Sequence, residues 1–139
     1  EVYTWGWGSD GQLGHGSAYN VLTPTLIQSL HGRRMVNVQC GYYCTMVVSE
    51  GGEVLSCGKG TFGQLGHGDT DSVQKPRTIQ ALLGIHIRQL SCGNGHSLAL
   101  SETSTVFTWG RGADGQLGLG ANTTLNQPAP VPISSLDGA

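Results

Sequence analysis

The chain of 139 residues sets seven Lys and Arg against nine Asp and Glu, a formal charge of −2, with 23 glycines and 37% apolar residues. That balance excludes the basic surface of non-specific nucleic-acid binding, and the apolar content excludes a disordered polyelectrolyte. No apolar run approaches the roughly 18 to 20 residues that span a bilayer, and the segment from Glu1 to Trp5 lacks the basic and apolar regions of a secretory signal, so neither membrane nor export is expected.

The first segment, Glu1-Val2-Tyr3-Thr4-Trp5-Gly6-Trp7-Gly8, alternates large and small side chains as a strand does. It returns 52 residues later as Glu53–Gly60 and again as Thr105–Gly112. Gly-Gln-Leu-Gly follows each copy, at 11–14, 63–66 and 115–118, as a turn carrying one apolar plug, Leu13, Leu65 or Leu117. A second strand begins at the repeated proline (Pro24, Pro76, Pro128). Because proline cannot donate to a ladder, that strand belongs at a sheet edge. Val36, Val38 and Cys40 then alternate, matched by Arg88, Leu90 and Cys92. Last come Thr45–Val48 and Ser97–Leu100, near-continuous runs that read as buried on both faces. Four short strands recurring every 52 residues without insertion predict an all-β fold of β-propeller blades.

At this point the residues resemble a family. Trp109-Gly110-x-Gly112-x-x-Gly115-Gln116-Leu117-Gly118, with Cys92-Gly93-x-Gly95-His96-Ser97-Leu98-Ala99-Leu100 upstream, is similar to the regulator of chromosome condensation 1 (RCC1) repeat, and the likeness covers essentially the whole chain. The resemblance implies a seven-bladed ring of roughly 360 residues. Against that ring the chain reads as a partial propeller of about two and a half blades. Residues 1–31 form a half blade of two outer strands, 32–83 and 84–135 form whole blades, and 136–139 a tail. Cys44 departs from the pattern by standing where the next copy has His96, and Cys57 by replacing the blade tryptophan of Trp5 and Trp109.

Several chemical motifs dissolve in this register. Gly6-x-Gly8-x-x-Gly11, Gly58-x-Gly60-x-x-Gly63 and Gly110-x-Gly112-x-x-Gly115 match a dinucleotide fingerprint, but it repeats with every blade and turn residues follow it instead of a helix. No cofactor is therefore expected. His15 and His67 are equivalent and Leu119 breaks the series, which points to surface loop histidines; His96 reads as bonded to backbone in a glycine turn. Cys40, Cys44, Cys57 and Cys92 are expected as reduced, buried apolar residues, with disulfides or zinc as the rivals, although the short-spaced ligand pairs of a structural zinc site are missing. Asn122-Thr123-Thr124 fits a glycosylation acceptor, read as chance without an export signal. No nucleophile triad or paired carboxylates stand out, so no catalytic residue, metal ligand or enzyme activity is assigned.

What remains is variation between copies. Trp7, Lys59 and Arg111 align, as do Asp10, Phe62 and Asp114, in loops on one face of a propeller. Aromatic and cationic side chains there are the expected contact set for a protein partner; solvent-facing drift is the rival reading. The chain is accordingly expected to be a non-catalytic interaction module, cytoplasmic or nuclear, that self-associates or docks onto missing blades. The resemblance also implies alternatives: regulation or nucleotide exchange of a small GTPase with chromatin association, or a recruiting propeller of a ubiquitin ligase or kinase. The wedge-like insertion linked to exchange has no room in the unbroken 52-residue spacing.

Overall fold

The computed structural model describes residues 1–120 and 125–139, so the acceptor at 122–124 lies outside the described residues. Ten strands follow one another: β1 (Tyr3–Gly6), β2 (Val21–Leu26), β3 (Met35–Cys40), β4 (Cys44–Ser49), β5 (Val54–Gly58), β6 (Val73–Thr78), β7 (Ile87–Cys92), β8 (His96–Ser101), β9 (Val106–Gly110) and β10 (Gln127–Pro132). They form a two-stranded sheet, β1-β2, and two four-stranded meanders, β3-β4-β5-β6 and β7-β8-β9-β10, antiparallel throughout. The fold is all-β, a partial β-propeller of about two and a half blades. Each proline strand (β2, β6, β10) lies at a sheet edge, where a missing N–H leaves no gap in a ladder.

Register decides which face each residue buries. Val47 sits opposite Leu55, and Met46 opposite Ser56, and opposed residues share a face. Val47 and Leu55 pack back onto Val2, Ile27 and Leu30 of the two-stranded sheet. Cys44, Met46, Val48 and Val54 pack forward onto Ile87, Leu90, Ala99 and Trp109 of the last sheet. The two inner strands of the middle sheet, β4 and β5, are thus buried on both faces, as expected for β4.

For β8 that expectation fails. Ser97, Ala99 and Ser101 are buried, but Leu98 and Leu100 are only half-buried. They occupy the positions of Met46 and Val48, and no further sheet covers them. At the opposite end, Tyr3 and Trp5 lie open, Trp5 58% exposed where the equivalent Trp109 is 0%. Val36 and Val38 are exposed for a related reason: the leading sheet has only two strands, and nothing lies over β3. Cys40, expected in the core, is exposed by the same vacancy, and Cys92 is half-buried; Cys44 and Cys57 are buried as predicted.

Loops lock the sheets together. Gly16 N–H donates to Gln74 O of the next blade, and Gly68 N–H to Pro128 O, each at 2.9 Å. The indole Nε1–H of Trp109 reaches back to Gln64 O at 2.8 Å. Cys57, in the tryptophan's place, makes only a 3.6 Å thiol contact to Gln12 O.

Candidate protein-docking face

Every loop after β1, β5 and β9 is braced from inside. The side-chain Oε1 of Gln12, Gln64 and Gln116 accepts from the backbone N–H of Asp10, Phe62 and Asp114 at 2.8–2.9 Å. Gly60 N–H donates to Ser72 Oγ and Gly112 N–H to Asn126 Oδ1, both at 3.2 Å. A Cβ on Gly60 would collide with the Asp71 carbonyl. The repeated glycines therefore serve close backbone return, and the amides a phosphate would need are already occupied.

This bracing places the variable residues on one rim. Lys59 N–H donates to Tyr43 O and Arg111 N–H to Gly95 O, so each post-strand loop lies beside the hairpin tip of its own blade. Two clusters result. Trp7 meets Tyr43 edge-on at 5.8 Å between ring centroids, Tyr42 meets Tyr43 at 4.5 Å, and Lys59 Nζ stands 4.6 Å over the Tyr43 ring. Loss of solvation raises the Tyr43 phenol first, helped by Tyr42 and by the Asp10 carboxylate, so it stays a neutral donor. In the second cluster the Arg111 guanidinium lies 5.7 Å from the Phe62 ring and pairs with Asp114 at 3.2 Å.

Tyr42 and Tyr43 are the residues that sequence reading missed. They align with Asn94 and Gly95, so the same comparison between copies that singled out Trp7 contains the signal.

The histidines also need correction. His15 and His67 are half-buried, not free on the surface. Ser56 Oγ donates its one hydrogen to Leu65 O at 2.7 Å, so the His67 Nε2–H at 2.9 Å donates to the hydroxyl oxygen; Thr4, Leu13 and His15 repeat the arrangement. Desolvation lowers the His67 imidazole to about 4, with Arg77 adding to the effect. Where Leu119 replaces histidine, Thr108 Oγ1 is left buried without a partner among the described residues. His96 Nδ1 is likewise unpartnered, so the backbone bond expected of its ring is not made through that atom.

A cavity of about 630 Å³ is lined by Gly14, His15, Thr25, Gln28 and Lys75, and a similar one recurs at Gly66 and His67 of the next blade. Its recurrence marks a groove of the repeat. Burial pushes the Cys57 thiol up to about 12, far from a nucleophile's range. Among the described residues no group of three or more His, Cys, Asp or Glu is placed to hold a metal ion.

Stacked four-stranded blades, with loop latches between them and variable side chains on one rim, define a repeat-built propeller protein. The chain belongs to the regulator of chromosome condensation (RCC1) repeat family, whose repeat matches residues 1–48, 51–100 and 104–139. It is 44% identical to the ultraviolet-B receptor UVR8 of Arabidopsis thaliana, over 99% of this chain and 31% of that protein. It is 37% identical to the human E3 ubiquitin-protein ligase HERC2, over 92% of this chain and 3% of that one. The solved structure of Prp20p from Saccharomyces cerevisiae superposes with a TM-score of 0.80 at 21% identity, covering 94% of this chain and 33% of Prp20p, and shows the shared fold. The chain therefore spans about a third or less of each of these relatives.

Proposed function

We propose that the chain is a non-catalytic protein-interaction module that receives a protein partner on the rim bearing Trp7, Asp10, Tyr42, Tyr43, Lys59, Phe62, Arg111 and Asp114. The observation that carries this reading is the exposed aromatic and cationic stack at positions where the copies differ: Trp7 is 56% and Tyr42 64% exposed. Aromatic residues and arginine supply most hot-spot energy at interfaces, and here they rest on loops braced by glutamine and glycine, so little ordering entropy remains to be lost on binding.

The chain's open ends at Tyr3 and Trp5, and at Leu98 and Leu100, meet further blades or second copies in this reading. A small GTPase is one partner class, supported by the likeness to Prp20p, whose structure was described with its binding to Gsp1p and histones; a cytoplasmic or nuclear site of action goes with it. Recruitment for a ligase, as the likeness to HERC2 suggests, would use the same rim.

A photo-crosslinking residue at Tyr42 tests the reading, with Leu22, 93% exposed on the edge strand β2, as control. Partner adducts at position 42 and few at 22 are expected. Equal yields at both, or none at 42, would contradict it.

A further inference from the structure

Cys44 is a departure from the repeat with a specific neighbour. In register it shares a face with Met46 and Val48, the face turned toward the last blade. Cys92 ends β7 and packs against that same inter-blade core. The backbones of β4 and β7 approach within 8 Å. Beside Gly41, the space a Cβ would fill lies 2.8 Å from Cys44 Sγ and 3.2 Å from Cys92 Cβ, so both side chains converge on one small gap. In the next copy the corresponding gap beside Gly93 is filled by the His96 ring; the smaller cysteine leaves it open and puts a thiol there instead.

We propose that Cys44 and Cys92 form a reversible disulfide that staples the middle blade to the last one under oxidising conditions. Interaction between the two thiols is the first cause that lowers Cys44 and raises Cys92, and in this scheme Cys44 is the attacking sulfur. With a peroxide as oxidant, the Cys44 thiolate attacks one oxygen, the O–O bond breaks, and hydroxide leaves to take up a proton as water. Cys92 sulfur then attacks the resulting sulfenic acid, forming the S–S bond and releasing a second water that carries off the Cys92 proton. Two electrons pass from the thiols to the peroxide and nothing else is consumed. Cys44 is nearly buried and Cys92 half-buried, which admits a small oxidant and disfavours a bulky one. Cys40, exposed on the opposite face of the middle blade, and Cys57, deeply buried, are left as thiols.

The test treats the chain with hydrogen peroxide, blocks remaining thiols in denaturant, and maps tryptic peptides. The expected product is a link between the 35–59 and 89–111 peptides, about 2 Da lighter than their sum, cleaved by dithiothreitol. It should persist in Cys40→Ser and vanish in Cys44→Ser. Absence of the link in the wild-type chain under conditions that already oxidise Cys40 would overturn the proposal, as would a link that survives Cys44→Ser or depends on Cys40. The wild-type result stands by itself even if Cys44→Ser folds poorly.

Discussion

His67 illustrates how much of this fold rests on single polar contacts under the loops. Its ring is lowered from 6.5 to about 4, so between those values the unfolded chain binds a proton that the folded chain refuses. The stability present above pH 6.5 is therefore lost as pH falls toward 4. Thermal unfolding followed from pH 7 to 4.5 should show a steeper decline for wild type than for His67→Leu, the residue that the third copy carries as Leu119; parallel curves would contradict the assignment. Trp109→Phe should cost about 0.5–1.5 kcal/mol in urea unfolding, because Gln64 O loses its indole donor and keeps only the Ser97 hydroxyl in a site closed to water. Neither residue's role is legible in the sequence. The Ser56–His67 bond joins positions eleven apart, a separation that the two-residue period of a strand does not link and that repetition alone does not turn into a contact, and the Trp109–Gln64 bond crosses between blades. Leu13, Leu65 and Leu117, by contrast, could be read as plugs because an isolated leucine between turn glycines has nowhere else to go, and all three are buried.

At the scale of the element, the inter-blade latch makes a sharper demand on one glycine than on its neighbour. Gly66 and Gly68 both hold positive φ, +80° and +84°, but a Cβ on Gly66 would stand 2.9 Å from Trp109 Nε1 while one on Gly68 meets nothing. Gly68→Ala should cost about 1–2 kcal/mol for the left-handed backbone alone. Gly66→Ala should cost more by about 1–3 kcal/mol through crowding at the indole. Equal costs by denaturant titration would show that the latch is slack. The proline strands were readable because proline's missing donor has one answer in a sheet, its edge. The burial of β8 was not, since its leucines are covered or bared by a neighbouring sheet and not by anything in Ser97–Leu100 itself. The same limit applies to Cys40: repetition predicts its environment only where the neighbouring blade is present.

At the scale of the whole molecule, open β1, bare Val36 and Val38, and the half-buried leucines of β8 leave both ends of the blade stack apolar. Alone in solution the chain should associate with rising concentration, and Trp5→Glu with Leu98→Glu should suppress this; light scattering that finds only a 14.5 kDa species throughout would contradict it. Composition and repeat length give this architecture almost completely, whereas the rim proposed as a partner surface emerges only once Tyr42 and Tyr43 are seen beside Trp7 and Lys59. The central claim is that this rim binds a protein, and charge reversal tests it most directly. Lys59→Glu combined with Arg111→Glu, in a protein carrying this chain, should reduce retention of partners by about tenfold or more in quantitative affinity purification, with the melting temperature unchanged because both side chains are partly exposed and the Arg111–Asp114 ion pair is weak. Partner recovery equal to wild type, with the fold intact, would contradict the account.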